Sequence, residues 1–343
     1  MLSREQRLML FKARHTSNCL FKLPPDLIRE ISQFGRDDTE FNKALHHAAS
    51  SQEEDIDIVV EKVKANPSLL LQTGNVVTRA GISVIRTTLY EFFLGEGDPD
   101  AAKQIEPYFA EIPNGENERI RQYEQYRPHI EALAKQVESS QPAFDLRPLF
   151  KIIKESSAAD ILDALNINDP NRNITENENT ALRAALAEFR KAVKPKCSIT
   201  VGMHYEHYTT LEQAFDLLHR NWKALSDNYA HYERCYLVWR QIIGYLQRSL
   251  PAVDRFGFAR AFEDKKRSLC FKHDDKDSFP DVISTDGNLE FSGLGFDKAI
   301  FGAGGNGWGV GWMVGKARFR NTCRAKTSSL QNLCSDVRNQ KQI

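Results

Sequence analysis

The chain has 343 residues, enough for two domains or for one extended solenoid. Its 46 lysines and arginines balance 46 aspartates and glutamates, so overall charge gives no reason to expect nucleic acid or an anionic membrane as partner. Apolar residues make up 41% and charged residues 27%, and no apolar run approaches the roughly 20 residues of a membrane helix. The expectation is a globular chain without a transmembrane segment. Arg4, Glu5 and Arg7 stand where a signal peptide turns apolar, and the six cysteines form no C-x-x-C pair. Both point to reduced thiols in the cytoplasm.

Taken in chain order, the first predicted element is a helix in Leu23 to Phe34, LPPDLIREISQF. Pro24 and Pro25 fit only the start of a helix, and Asp26 sits in the first turn, where the helix dipole favours a carboxylate. Leu27, Ile28, Ile31 and Phe34 recur at helical spacing, and Gly35 supplies a stop. The pattern resembles the opening helix of an F-box, the segment with which substrate receptors dock on the adaptor of a ubiquitin ligase. That resemblance implies an SKP1-like adaptor as partner, contacted by Leu23, Pro24, Leu27, Ile28 and Ile31. From the residues alone, the same stretch is an amphipathic helix capping the next domain. Residues 1–40 form this N-terminal region.

Residues 41–167 follow as helix pairs. Ala44-Leu45-His46-His47-Ala48-Ala49 matches the end of the T-P-L-H-x-A signature of the ankyrin repeat. Ala48 and Ala49 are small, as an inner helix pressed on its neighbour requires. A second helix runs through Asp55 to Val63 until Asn66-Pro67, and Thr73-Gly74-Asn75 reads as a turn. A second unit opens at Thr88-Leu89-Tyr90 and breaks at Gly97-Asp98 before Ala101 to Phe109. A third is Arg147 to Ile153 with Ala158 to Leu165. The intervals between units exceed the about 33 residues of a regular repeat, so insertions are needed. Gly115 to Gln136 is expected as an extra helix hairpin in the longer gap. These units resemble degenerate ankyrin repeats, while another helix-pair solenoid or a plain helical domain stays open. The order of an F-box-like helix and ankyrin-like units resembles effectors that intracellular bacteria inject into eukaryotic hosts. That resemblance implies a host-acting adaptor, working in the host cytoplasm, with no catalytic residues to carry over.

Residues 168–179, NDPNRNITENEN with five asparagines, read as a linker. A helical domain is predicted over 180–264, with helices from Thr180 to Val193, from Thr210 through Trp222, from Tyr229 to Leu250, and around Asp254 to Asp264. Lys196 to Tyr208 is open to strand or loop. Residues 265–343 form a glycine-rich subdomain, open to β-structure, that ends in a basic tail. Phe291 to Phe319 holds nine glycines, a density that permits left-handed backbone and close chain approach.

Gly302-Ala303-Gly304-Gly305-Asn306-Gly307 satisfies G-x-G-x-x-G, but glycines continue through Gly309 and Gly311 where a dinucleotide site needs a helix. A loop presenting Trp308 and Trp312 to a partner is the favoured reading. His204, His207, His219, His231 and Cys235 lack the spacing of a metal quartet. Cys197, Cys270 and Cys323 are undistinguished as nucleophiles. Lys316, Arg318, Arg320, Arg324 and Lys326 form an acid-free run that could meet phosphate or remain a solvated face. No catalytic, cofactor or metal residue is assigned. The expected fold is mainly α: degenerate ankyrin-like helical repeats, then a helical domain with the glycine-rich subdomain. The expected function is protein–protein interaction. An enzyme with its active site in the C-terminal domain is the competing class.

Overall fold

The computed structural model describes residues 39–50, 53–78, 80–165, 180–226, 233–254, 321 and 323–333. The protein is mainly α-helical with a small three-stranded sheet. Helices α1 (Glu40–Ser50) and α2 (Glu53–Ala65) form the first pair, followed by a 3-10 turn at Pro67–Leu71. Asn66 and Pro67 end α2, as expected, because the proline ring cannot continue the helix. Helices α3 (Leu89–Glu96) and α4 (Pro99–Ile105) form the second pair, followed by a 3-10 turn at Glu106–Glu111.

Equivalent elements of the two units lie on one another. α1 packs on α3, α2 on α4, and the first 3-10 turn on the second. Phe41, Ala44, Leu45, Ala48 and Ala49 make the buried face of α1. The second unit is punctuated by its own side chains. Thr88 caps α3 in a reciprocal box with Glu91. The Thr88 hydroxyl also donates to Gln122 Oε1 at 2.7 Å, and Gln122 Nε2 donates to the Leu70 carbonyl at 3.1 Å. Gly97 ends α3 in the left-handed conformation at φ +68°, and the Asp98 side chain then caps α4 at the Ala101 amide.

Between the units lies a hairpin. Strands β1 (Gly74–Val77) and β2 (Ser83–Thr87) pair antiparallel with a bulge, and β3 (Ser198–Ile199) joins β2 in parallel. The turn expected at Thr73-Gly74-Asn75 is therefore corrected: Gly74 begins a strand. Its missing Cβ is needed because β1 lies against Phe41 and Asn42 of α1. At the bulge Arg86 takes φ +56°, and its amide donates to Asn75 Oδ1 at 2.9 Å.

Helix α5 (Gly115–Ser139) is one continuous helix of 25 residues and not the expected hairpin. Tyr123, Tyr126, Ile130, Leu133 and Val137 keep one buried stripe through Pro128, which removes a single hydrogen bond without supplying a turn. Helices α6 (Arg147–Glu155) and α7 (Ala158–Leu165) pack chiefly against later elements. These are α8 (Ala181–Ala192) and α11 (Glu233–Leu237), respectively. Helices on either side of the 168–179 stretch thus share one core, which runs from Phe41 to Leu333. Helix α9 (Tyr208–Arg220) follows β3, and α10 (Trp222–Leu225) is a single turn. A π-helical stretch, Val238–Ile243, joins α11 to α12 (Gly244–Arg248). Arg234 on α11 donates to the carbonyls of Ile153 and Ser156, satisfying the end of α6. A helical turn over 252–254 and a helix over 323–333, here α13, complete the described elements. Among the described residues no helix is long and apolar enough to cross a membrane.

Candidate functional site

Among the described residues, a cluster of buried polar groups sits where α3 ends. Its sequence there is Gly95-Glu96-Gly97-Asp98. Three segments distant in the chain converge on these residues: Met203 to Tyr208, the turn at 252–254 and α13. The His204 amide donates to the Gly95 carbonyl at 2.8 Å. His204 Nδ1 lies 2.7 Å from Glu96 Oε1, both side chains being almost wholly buried. Glu96 Oε2 accepts from the Ala252 amide at 3.2 Å.

Lys326 reaches the same place from α13. Its Nζ donates to the Glu96 carbonyl at 3.0 Å, to Tyr208 Oη at 2.9 Å and to both Asp254 carboxylate oxygens at 2.8 Å. The Tyr208 hydroxyl donates to Asp254 Oδ2 at 2.5 Å. Lys326 and Asp254 are 8% and 9% exposed, so the ion pair is desolvated and satisfied by hydrogen bonds instead of water. Burial pushes the Asp254 carboxyl up, against the pull of the Lys326 ammonium and the Tyr208 hydroxyl. Burial, reinforced by the Asp254 charge, holds the Tyr208 phenol well above its ordinary value.

Both glycines are spatial requirements. A Cβ at Gly95 would overlap the His204 imidazole, and one at Gly97 would overlap the Lys326 side chain. The Glu96–His204 pair has the form of an oriented general base, with Nδ1 donating to the carboxylate and Nε2 buried without a hydrogen-bond partner. Yet the imidazole is pressed on the α3 backbone at Gly95, so that nitrogen faces the helix. In this conformation the pair bolts the 203–208 segment to α3 and offers no place for a substrate atom.

Sequence reasoning singled out His204, His207, His219 and Cys235 as weak metal candidates. The structure disperses them. His204 is engaged by Glu96, His219 is exposed, and His207 is half-buried with its imidazole pushed down by burial. Burial pushes the Cys235 thiol up to about 12. Among the described residues no group of three or more His, Cys, Asp or Glu side chains is placed to hold a metal ion. Cys197 is exposed; Cys323 is buried, its thiol raised by burial and by Asp254, which opposes the thiolate a nucleophile needs. The phosphate-contacting role entertained for Lys326 is corrected, since its ammonium is spent on Asp254. Arg324 is exposed.

The docking residues Leu23, Pro24, Leu27, Ile28 and Ile31 lie outside the described residues, as do Trp308, Trp312, Gly302 to Gly307, Cys270, His231, Lys316, Arg318 and Arg320. The junction of Glu96, Asp254 and Lys326 was not read from sequence. Its one local signal is Gly-Glu-Gly at a helix end, two glycines flanking a buried acid. What the fold defines is a mainly α-helical protein with a small mixed sheet and a buried polar junction. Compared with models of known protein families, with curated proteins and with solved structures, the chain finds no match.

Proposed function

We propose that the chain is a protein-interaction adaptor, in which stacked helix pairs form the body and the F-box-like segment docks on an SKP1-like adaptor. The observation that carries this reading is the stacking of α1 on α3, α2 on α4 and 3-10 turn on 3-10 turn, with a hairpin between the units. Stacked units of this kind present extended surfaces, and ankyrin-like repeats use them to bind proteins. Apolar side chains stand exposed along the run: Ile58 on α2, Leu71 at the first 3-10 turn and Val77 on β1. The effector resemblance adds a setting, the cytoplasm of a host cell, and a role as substrate receptor of a ubiquitin ligase.

The test is direct binding of the purified full-length chain to a purified SKP1-like adaptor. Apolar anchors at an interface commonly contribute more than about 1 kcal/mol each. Leu23→Ala with Pro24→Ala is expected to abolish co-purification while the circular dichroism spectrum stays unchanged. A wild-type chain that does not bind the adaptor would remove the docking role.

A further inference from the structure

We propose that α13 is a releasable strap, seated on the end of α3 by the Lys326 ammonium and able to leave as a unit while residues 40–254 stay folded. This goes beyond the adaptor reading and does not depend on it.

The strap touches the body along one face. Cys323, Lys326, Thr327, Leu330 and Leu333 are buried, while Arg324, Ala325, Ser328 and Asn332 are exposed. Such a stripe is that of a surface helix lying on a core. Besides the Lys326 contacts, the Tyr123 hydroxyl donates to the Leu330 carbonyl at 3.3 Å.

The polar groups beneath the strap keep partners of their own, although Asp254 gives up its two bonds from Lys326 when the strap leaves. Beneath the strap, Glu96 keeps His204 and the Ala252 amide, and Asp254 keeps the Tyr208 hydroxyl. These partners all belong to the body. The hydrogen bonds of Lys326 Nζ, by contrast, all run to the body. Its surroundings include the Glu96 carbonyl, the Asp98 and Asp254 carboxylates, the Tyr208 hydroxyl and the Cys323 thiol on its own helix. A half-withdrawn Lys326 would hold a charge in a desolvated site without its bonds, so intermediate positions are unfavourable. Seated and released are therefore two discrete states. Such a bistable element is what a switch requires.

Hydrogen exchange of the full-length chain, read by mass spectrometry, tests this. In Lys326→Met the amides of 323–333 should exchange about tenfold faster or more, while those of α3 and of Tyr123 to Val137 keep their protection. The wild-type chain decides should that variant not fold. At sub-denaturing guanidinium, 323–333 should open before α3 does. Unchanged exchange of 323–333 in the variant overturns the strap, and so does opening of 323–333 in the wild type only together with α3.

Discussion

Asp98 caps α4 through its Oδ1, which accepts from the Ala101 amide at 3.0 Å, and burial pushes its carboxyl up to about 6. The Ala101 amide and the Lys326 ammonium lower it, while Asp100 and Glu96 add to the rise. A carboxyl whose folded value is raised binds its proton more readily in the native state, so its contribution to stability grows as pH falls from 7 towards 4. Asp98→Asn keeps an effective cap and removes the titration. In urea melts from pH 4 to 7, the variant is expected to gain stability over wild type as pH rises, on the order of 1–3 kcal/mol across that range. Equal slopes for the two chains would show that Asp98 does not titrate there. This residue's backbone role was legible, because Gly97-Asp98 read as a helix break. Its burial was not, because nothing local announces that Lys326 lies over the same helix end.

At the scale of elements, the two stacked units rest on the small side chains of α1. Ala48 is fully buried and Ala49 nearly so. Ala48→Trp should destabilise by about 1–3 kcal/mol through overpacking, measured as a drop in denaturation midpoint. A tolerated tryptophan would remove α1 from the stack. Helix boundaries were largely readable because their signals are chemical and local: proline after α2, Thr88 and Gly97 around α3, Thr180 before α8. The hairpin was missed although Val76-Val77 and Val84-Ile85 flank Gly81, which takes φ +80°. Short β-branched runs carry little periodicity, and Gly74 resembled a turn residue when it was a close-approach residue. α5 was missed as a single helix because the longer gap between units read as room for a hairpin, whereas Tyr123, Tyr126 and Ile130 hold one stripe across Pro128.

For the whole molecule, one core extends through both halves of the chain. Phe150, Phe189 and Leu237 belong to it together with Phe93 and Tyr123. Thermal unfolding of the body over 40–254 should therefore show one transition, with near- and far-ultraviolet circular dichroism superimposing. Two separated transitions would divide the body at the asparagine-rich stretch. The mainly α class was legible from apolar periodicity. The polar junction was not, since its members are joined only by tertiary folding. The Lys326–Glu96 contact spans 230 residues of sequence, and that distance has a consequence for biosynthesis. Domains fold as the chain emerges from the ribosome, N-terminal parts first. Asp254 must wait for its counter-ion until the lysine has been translated. A product cut short before that point would carry a buried Asp254 carboxylate with the Tyr208 hydroxyl beside it and no ammonium to neutralise it. The nascent protein thus bears a chemical mark of incompleteness, erased only when synthesis has passed Lys326.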